Sequence, residues 1–320
     1  MPRYDVTSIG EGGLRLSVPA GTRLERATSF DVAVIGTELN VLCGLSSLGW
    51  NTGWVSAVPD SPLGRLVEST PRSRGVDTTH LLRVPDGRVG KYFVEYGSPP
   101  RPTQMYFDRK NTAFSQLTPD QLDWGGVLDT RMLHLSGLSV PLSDSVAEVL
   151  RVAVDGATQA GVPMCFDVNY RETLWSPQNA ADALRPFVEA ADVLFCRSDD
   201  AYRLYNLGPD PEKCLLGLRA MTSAQHLVVS CGDGGVWTLG PEGHQVHTPA
   251  VPVSIVDRLG AGDGLAAGFL HGLLAGEEPQ APRYATAMAA LALSQGGEQV
   301  TTTRAELHAV MDDPSSELHR

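Results

Sequence analysis

The sequence lacks the features that would tie it to an oxidising compartment, a membrane or a nucleic acid. Its five cysteines (Cys43, Cys165, Cys196, Cys214 and Cys231) are scattered and odd in number, and none forms a Cys-x-x-Cys pair. That excludes a disulfide framework and a cysteine zinc site, and leaves small core residues in a reducing compartment. No basic-then-apolar leader opens the chain, and no apolar run approaches the length of a membrane span. A cytoplasmic protein with no membrane partner is therefore expected. Positive charge is short as well: 25 Lys and Arg stand against 37 Asp and Glu, a formal net charge of −12. This argues against nucleic acid and anionic lipid, and an anionic small molecule would need arginines gathered locally in a pocket. There is no internal repeat and no low-complexity segment. What is present is ordinary for a soluble globular protein: 320 residues, 42% hydrophobic and 19% charged, enough to bury a large core as one big α/β domain or two smaller ones.

Strand and helix patterns alternate along most of the chain. Strands are predicted at 4–9, 30–35, 52–58, 132–135, 162–168, 193–196 and 226–229. Helices are predicted at 38–48, 63–73, 143–160, 180–190, around 201–205 and at 282–295. Such alternation points to a mostly parallel sheet with crossover helices. The rhythm breaks at 90–96 and 104–109, two strand-like runs joined across Gly97-Ser98-Pro99-Pro100-Arg101-Pro102. These read as a hairpin with a stiff connection. Together with 12–35, of which 12–28 is mixed and turn-rich, it would form a small separate sheet placed over a pocket. The tail from Asp312 to Arg320 is polar and reads as loose.

The chemistry concentrates at Val256-Asp257-Arg258-Leu259-Gly260-Ala261-Gly262-Asp263-Gly264. An apolar run from Val251 to Val256 reads as a strand, and a small-residue helix follows to about Ala275. A helix start without bulky side chains leaves backbone N–H groups free to bind an anion, aided by the helix dipole. An isolated Asp263 would read as an N-cap. Beside an anion site it makes more sense as a base that takes a proton from an attacking hydroxyl. Gly264, Gly268 and Gly272 recur on one helix face and suggest close packing on the sheet.

Asp257-x-x-Gly260-Ala261-Gly262-Asp263 resembles the C-terminal signature of the ribokinase-like (PfkB) carbohydrate kinases. The stretch from Phe166-Asp167-Val168-Asn169-Tyr170-Arg171 to Pro177 is similar to 2-keto-3-deoxygluconate kinases within that family, as is Leu133-His134-Leu135-Ser136-Gly137. His134 itself reads as a satisfied core residue. The resemblance covers most of the chain. It implies one ribokinase-like domain over 1–320, an α/β three-layer sandwich with a mostly parallel sheet and a small β lid from about 12–37 and 88–112. It makes Asp263 the catalytic base and the Gly260, Ala261 and Gly262 backbone the anion hole. Gly36, Asn40, Tyr92, Arg109 and Arg171 would contact the sugar. Ser230, Gly232 and Gly235 would form the nucleotide loop, and Asp200 would stand near Mg²⁺ carried with ATP. The expected reaction is transfer of the γ-phosphoryl group of ATP to the terminal hydroxyl of 2-keto-3-deoxygluconate. Another sugar kinase, for fructose, ribose or a nucleoside, is the alternative, as is a kinase-derived sensor that binds sugar or nucleotide without activity. A homodimer through the open lid sheet is expected from its strand edges and from family habit.

The chain departs from the family pattern at several places. Ile35 replaces the first glycine of the sugar-binding Gly-Gly element, and Phe107 a tyrosine two residues before the lid arginine. The early Gly-x-Asp-x-x-Gly turn is Pro59-Asp60-Ser61-Pro62-Leu63-Gly64, and the Asn-x-x-Glu element is Arg197-Ser198-Asp199-Asp200. Ser230 stands where a lysine is common, Ala285 at an adenine-side Asn, and Arg258 replaces the residue after Asp257. The transfer residues are intact, whereas the nucleotide and metal surroundings are altered.

Overall fold

The computed structural model describes residues 2–97 and 100–313. Ser98 and Pro99 of the stiff connection, and the part of the polar tail from 314 to 320, lie outside the described residues. In chain order the first half runs β1 (Val6–Ile9), β2 (Gly13–Ser17), β3 (Asp31–Ile35), α1 (Thr37–Ser47), β4 (Thr52–Pro59), α2 (Pro62–Ser73), β5 (Leu81–Val84), β6 (Gly90–Glu95) and β7 (Gln104–Asp108). The second half runs α3 (Trp124–Val127), β8 (Leu133–Ser136), α4 (Asp144–Ala160), β9 (Met164–Asp167), α5 (Pro177–Ala190), β10 (Val193–Arg197), α6 (Ser198–Tyr205), α7 (Pro211–Arg219), β11 (His226–Ser230), β12 (Val236–Leu239), β13 (Gln245–Thr248), α8 (Ala261–Leu274), α9 (Ala281–Leu293) and α10 (Arg304–Asp312).

Among the described residues, nine strands form one sheet in the order β13-β12-β11-β10-β9-β8-β1-β4-β5. The seven from β11 to β5 are parallel, and β12 and β13 close one edge antiparallel. Its central strands are buried on both faces, as a covered parallel sheet requires. The alternation is visible in β10, where Leu194 and Cys196 pack into one core with α4, α5 and α7. Val193 and Phe195 point the other way, into a second core with α1, α8 and α9. That makes three layers, helix–sheet–helix.

A second sheet of four strands, β3-β2-β6-β7, is built from 13–17, 31–35, 90–95 and 104–108. β2 runs antiparallel to β3 and parallel to β6, and β7 returns antiparallel to β6. β2 falls in the stretch that reads as mixed and turn-rich; Leu14 and Leu16 do alternate with Gly13, Arg15 and Ser17, but the run is only five residues long and is preceded by Gly10 and Gly12. Arg15 is nonetheless 5% exposed.

Two local expectations fail. Val251–Val256 is not a strand. Pro252 lacks an N–H to give a ladder, Ile255 and Val256 are 44% and 65% exposed, and the Val256 amide bonds to the Leu293 carbonyl at the end of α9. The glycine face of α8 packs on α9, not on the sheet. A Cβ on Gly268 would lie 2.3 Å from the Tyr284 carbonyl oxygen, and one on Gly272 would lie 2.6 Å from Ala281 Cα. The small residues let two helices touch backbone to backbone.

Candidate active site

The site is assembled where α1 and α8 begin, beside the carboxyl ends of β1 and β9, the edge at which open α/β sheets bind ligands. Gly260 caps α8 with φ +85°, and a Cβ there would lie 2.2 Å from the Glu298 carbonyl oxygen. Only glycine suits both the left-handed backbone and the close approach. The first helical amide of α8 to find a carbonyl is that of Gly264, which bonds Gly260. The amides of Ala261, Gly262 and Asp263 precede it, unspent by the helix and at its positive end.

Asp263, half-buried, is gripped from two sides. Thr37 Oγ1 donates to its Oδ1 at 2.5 Å and Asn40 Nδ2 donates to its Oδ2 at 2.7 Å. Thr37 is itself held by Asn169 Nδ2 at 2.9 Å. Asn169 follows β9 in a left-handed conformation (φ +40°), which asparagine tolerates better than other residues with a Cβ. Burial is the largest influence on Asp263 and lifts its carboxyl to about 7, opposed by the Thr37 and Asn40 hydrogen bonds and by Arg171. A base with that affinity is poised for proton transfer near neutral pH. Each carboxylate oxygen keeps a further lone pair for an incoming hydroxyl. Asn40 is 1% exposed, and its Oδ1 is enclosed without a partner.

Gly36 opens α1, where a Cβ would lie 2.4 Å from the Glu11 carbonyl oxygen. Arg109 lies just past β7. Its Nε donates to Glu11 Oε2 at 2.7 Å, and Glu11 also accepts from Thr112. Glu11 is 5% exposed, so this is a fixed pair; no other described residue bonds the Arg109 terminal nitrogens. Glu11 thus already neutralises Arg109. Arg171 is exposed, donates to the Tyr170 carbonyl at 3.3 Å, and lies close enough to lower the proton affinity of Asp167, Asp200 and Asp263. Tyr92 sits on β6 with its ring centroid 5.3 Å from that of Phe107 and donates its hydroxyl to Glu298. His134 is buried and neutral, its proton affinity lowered to about 4 by burial, with Nδ1 3.2 Å from Cys165 Sγ.

The second cluster is more open. Ser230 ends β11 and is followed by Gly232 (φ +60°) and Gly235 (φ +83°), where a Cβ on Gly235 would lie 2.2 Å from the Thr248 carbonyl oxygen. On the neighbouring strand Arg197 is the register partner of Ser230. The cation that position 230 lacks is thus present one strand away, bonded at 3.1 Å to Asp199 on an exposed surface. Asp200, in the first turn of α6, is 5% exposed with an unpartnered Oδ2; burial raises its proton affinity against Arg197 and Arg171. A hard carboxylate oxygen left unpaired is the donor chemistry Mg²⁺ takes. No group of three or more metal-ligating side chains occurs among the described residues, so phosphates and water would have to complete any coordination shell. Ala285, read as an adenine-side position, is fully buried on α9 against Gly268. Glu11, Arg15 and Glu298 were missed in the sequence, because a charged residue in a loop or broken strand reads as solvated.

Residues 8–304 match the pfkB family carbohydrate kinase. A 2-dehydro-3-deoxygalactonokinase of Haloferax volcanii is 34% identical over 309 residues, spanning 96% of this chain and 96% of its own. A 5-dehydro-2-deoxygluconokinase of Bacillus licheniformis is 28% identical, again over 96% of each. Among solved structures, the 2-dehydro-3-deoxygluconokinase of Thermotoga maritima matches with a TM-score of 0.91 at 29% identity, over 96% of this chain and 98% of that one.

Proposed function

The chain belongs to the pfkB family of carbohydrate kinases and has their ribokinase-like α/β fold, and on that footing we propose that its acceptor is a six-carbon 2-keto-3-deoxy sugar acid. 2-Keto-3-deoxygluconate or its C4 epimer, the galactonate form, would be phosphorylated by ATP at the terminal hydroxyl. Activity as an ATP-dependent sugar kinase follows from family membership; the identity of the acid is the proposal. The observation that carries it is Arg109, fixed through Nε by a buried glutamate with its terminal nitrogens unspent, together with the exposed Arg171, which lies close enough to Asp263 to lower its proton affinity. Two guanidinium forks offer a carboxylate fork-to-fork hydrogen bonds that a neutral sugar cannot return. The names borne by the Haloferax and Thermotoga relatives support the same class.

In this reading the small sheet is the lid that brings Tyr92 and Arg109 onto the sugar. The acid end lies between Arg109 and Arg171, Asn40 Oδ1 accepts from a sugar hydroxyl, and the far hydroxyl reaches Asp263. Asp263 takes its proton as the hydroxyl oxygen bonds to the γ-phosphorus and the bond to the β–γ bridging oxygen breaks, releasing ADP. The backbone N–H groups of Gly260, Ala261 and Gly262 hold the charge on the transferred group. Positioning and charge stabilisation do most of the work in such a transfer. Ser230, Gly232 and Gly235 would carry the nucleotide, and Asp200 would help hold the Mg²⁺ entering with ATP, whose charge would neutralise the phosphates. A homodimer through the small sheet, whose Val32, Met105 and Tyr106 are exposed, is the proposed assembly.

ADP release coupled to a reporter, measured across both epimeric acids, fructose, ribose and a nucleoside, tests the reading. The acids should exceed the neutral sugars in kcat/KM by at least about a hundredfold, or roughly 2.7 kcal/mol. Equal rates would overturn the sugar-acid assignment while leaving a sugar kinase.

A further inference from the structure

Arg15 is a buried cation that neither the sequence reading nor the reaction above has used. It lies on β2, in register with Tyr92 on β6. Its terminal nitrogen is 2.8 Å from Asp257 Oδ2 and 3.7 Å from Glu298 Oε1. Two more groups reach the same pair of carboxylates: Tyr96 donates to Asp257 Oδ2 at 3.2 Å, and Tyr92 donates to Glu298 Oε1. Thus Arg15 and Tyr92 of the small sheet, with Tyr96 just past β6, meet two acids that lie outside that sheet, and Arg15 touches both acids.

Each acid leads directly to the transfer centre. Asp257 accepts the Leu259 amide at 3.1 Å and the Gly297 amide at 3.3 Å, which fixes the backbone entering Gly260. Glu298 supplies the carbonyl that crowds Gly260, and its Oε2 is 3.4 Å from the Asn40 Nδ2 that holds Asp263. Stability alone is a weak account of such a pair. A buried ion pair often contributes no more than an apolar replacement would, and here Arg15 Nε is enclosed with no partner.

We propose that Arg15 is a positioning residue that transmits closure of the small sheet to the phosphoryl-transfer turn. With the sheet closed it clamps Asp257 and Glu298, and through them sets the amides at the start of α8 and the orientation of Asp263. With the sheet raised the clamp is withdrawn, so the transfer geometry forms only over a bound acceptor. This rests on the lid role given to the small sheet above.

The test is a double-mutant cycle on the full chain, with ATP and whichever sugar the wild type phosphorylates best, so that a wrong sugar acid leaves it intact. Arg15→Met and Asp257→Asn should each lower kcat about 30-fold with both KM values within about threefold. The double variant should fall near the single ones and not to their product. Arg15→Lys should recover part of the loss, since a point charge replaces the fork but spans the two acids poorly. Multiplicative losses would overturn the proposal. So would a raised sugar KM at unchanged kcat, which makes Arg15 a substrate contact, or a lowered Tm at unchanged kcat, which makes it scaffold. If Arg15→Met fails to fold, the same cycle between Arg15→Lys and Asp257→Asn decides by the same criterion.

Discussion

The two halves of the site are built differently. Around Asp263 the side chains grip one another: Thr37 and Asn40 hold the carboxylate, Asn169 holds Thr37, and Glu298 stands beside Asn40. Around Ser230 the loop is open, Gly232 to Gly234 are exposed, and the nearby Arg197 pairs with the exposed Asp199. The contrast fits the chemistry each half would serve. A proton transfer depends on tenths of an ångström and on a tuned proton affinity, which only a packed, low-dielectric surrounding supplies. A triphosphate can be held by backbone amides, water and metal with little side-chain specificity. Altered residues occur on both sides: Arg197 and Ser230 on the open one, and Ile35, Phe107 and Arg258 beside Gly36, Tyr92 and Asp257 on the packed one.

The harshest way to test that contrast is Asp263→Asn, which keeps the shape of the side chain but cannot take the proton. It should lower kcat by about 10²–10⁴ with substrate affinity nearly unchanged, read by steady-state kinetics and ligand titration. Retention of half the turnover would reduce Asp263 to a helix cap.

Arg171→Ala should act next, on selectivity. It should erase most of the roughly hundredfold preference for acid over neutral sugar by slowing the acid alone. An equal loss on both sugars would show that Arg171 serves the protein's own acids and not the substrate's.

The packed half should also reveal itself through pH. Burial lifts Asp263, Glu298 and Asp167 each to about 7, against about 4 when unfolded. The base works deprotonated, so kcat/KM should fall as pH drops through about 7. Stability runs the other way: a raised carboxyl contributes fully below its unfolded value and loses that contribution as pH rises through the folded one. Tm should therefore decline from pH 5.5 to 8. Asp263→Asn should soften the decline, with Tm at pH 8 higher by on the order of 2–4 °C. A wild-type rate profile flat between pH 5.5 and 8 would contradict the packed base.

The smallest effects belong to the open half. Arg197→Ala should raise the KM for ATP by about three- to tenfold at unchanged kcat, the behaviour of an exposed charge contact. With no lysine at 230, discrimination between ATP and GTP should stay under about a hundredfold in competition kinetics. A larger ratio would mean that the donor site is more specific than its exposed residues indicate.

The sequence by itself determined the α/β rhythm, the glycine turn, the base at its end and the family that these residues resemble. Those signals are local: apolar periodicity, a helix start without bulky side chains, and an acid at fixed spacing, all readable within a dozen neighbouring residues. It misread 251–256, because apolar residues were counted while the strand they could pair with was not. Only the tertiary structure decided which charges are spent and which are free. Glu11 meets Arg109 across 98 residues and Arg15 meets Asp257 across 242. A charge in sequence carries no sign of its partner, and whether a carboxylate is solvated, paired or lifted to neutrality depends on what the fold places within a few ångströms of it.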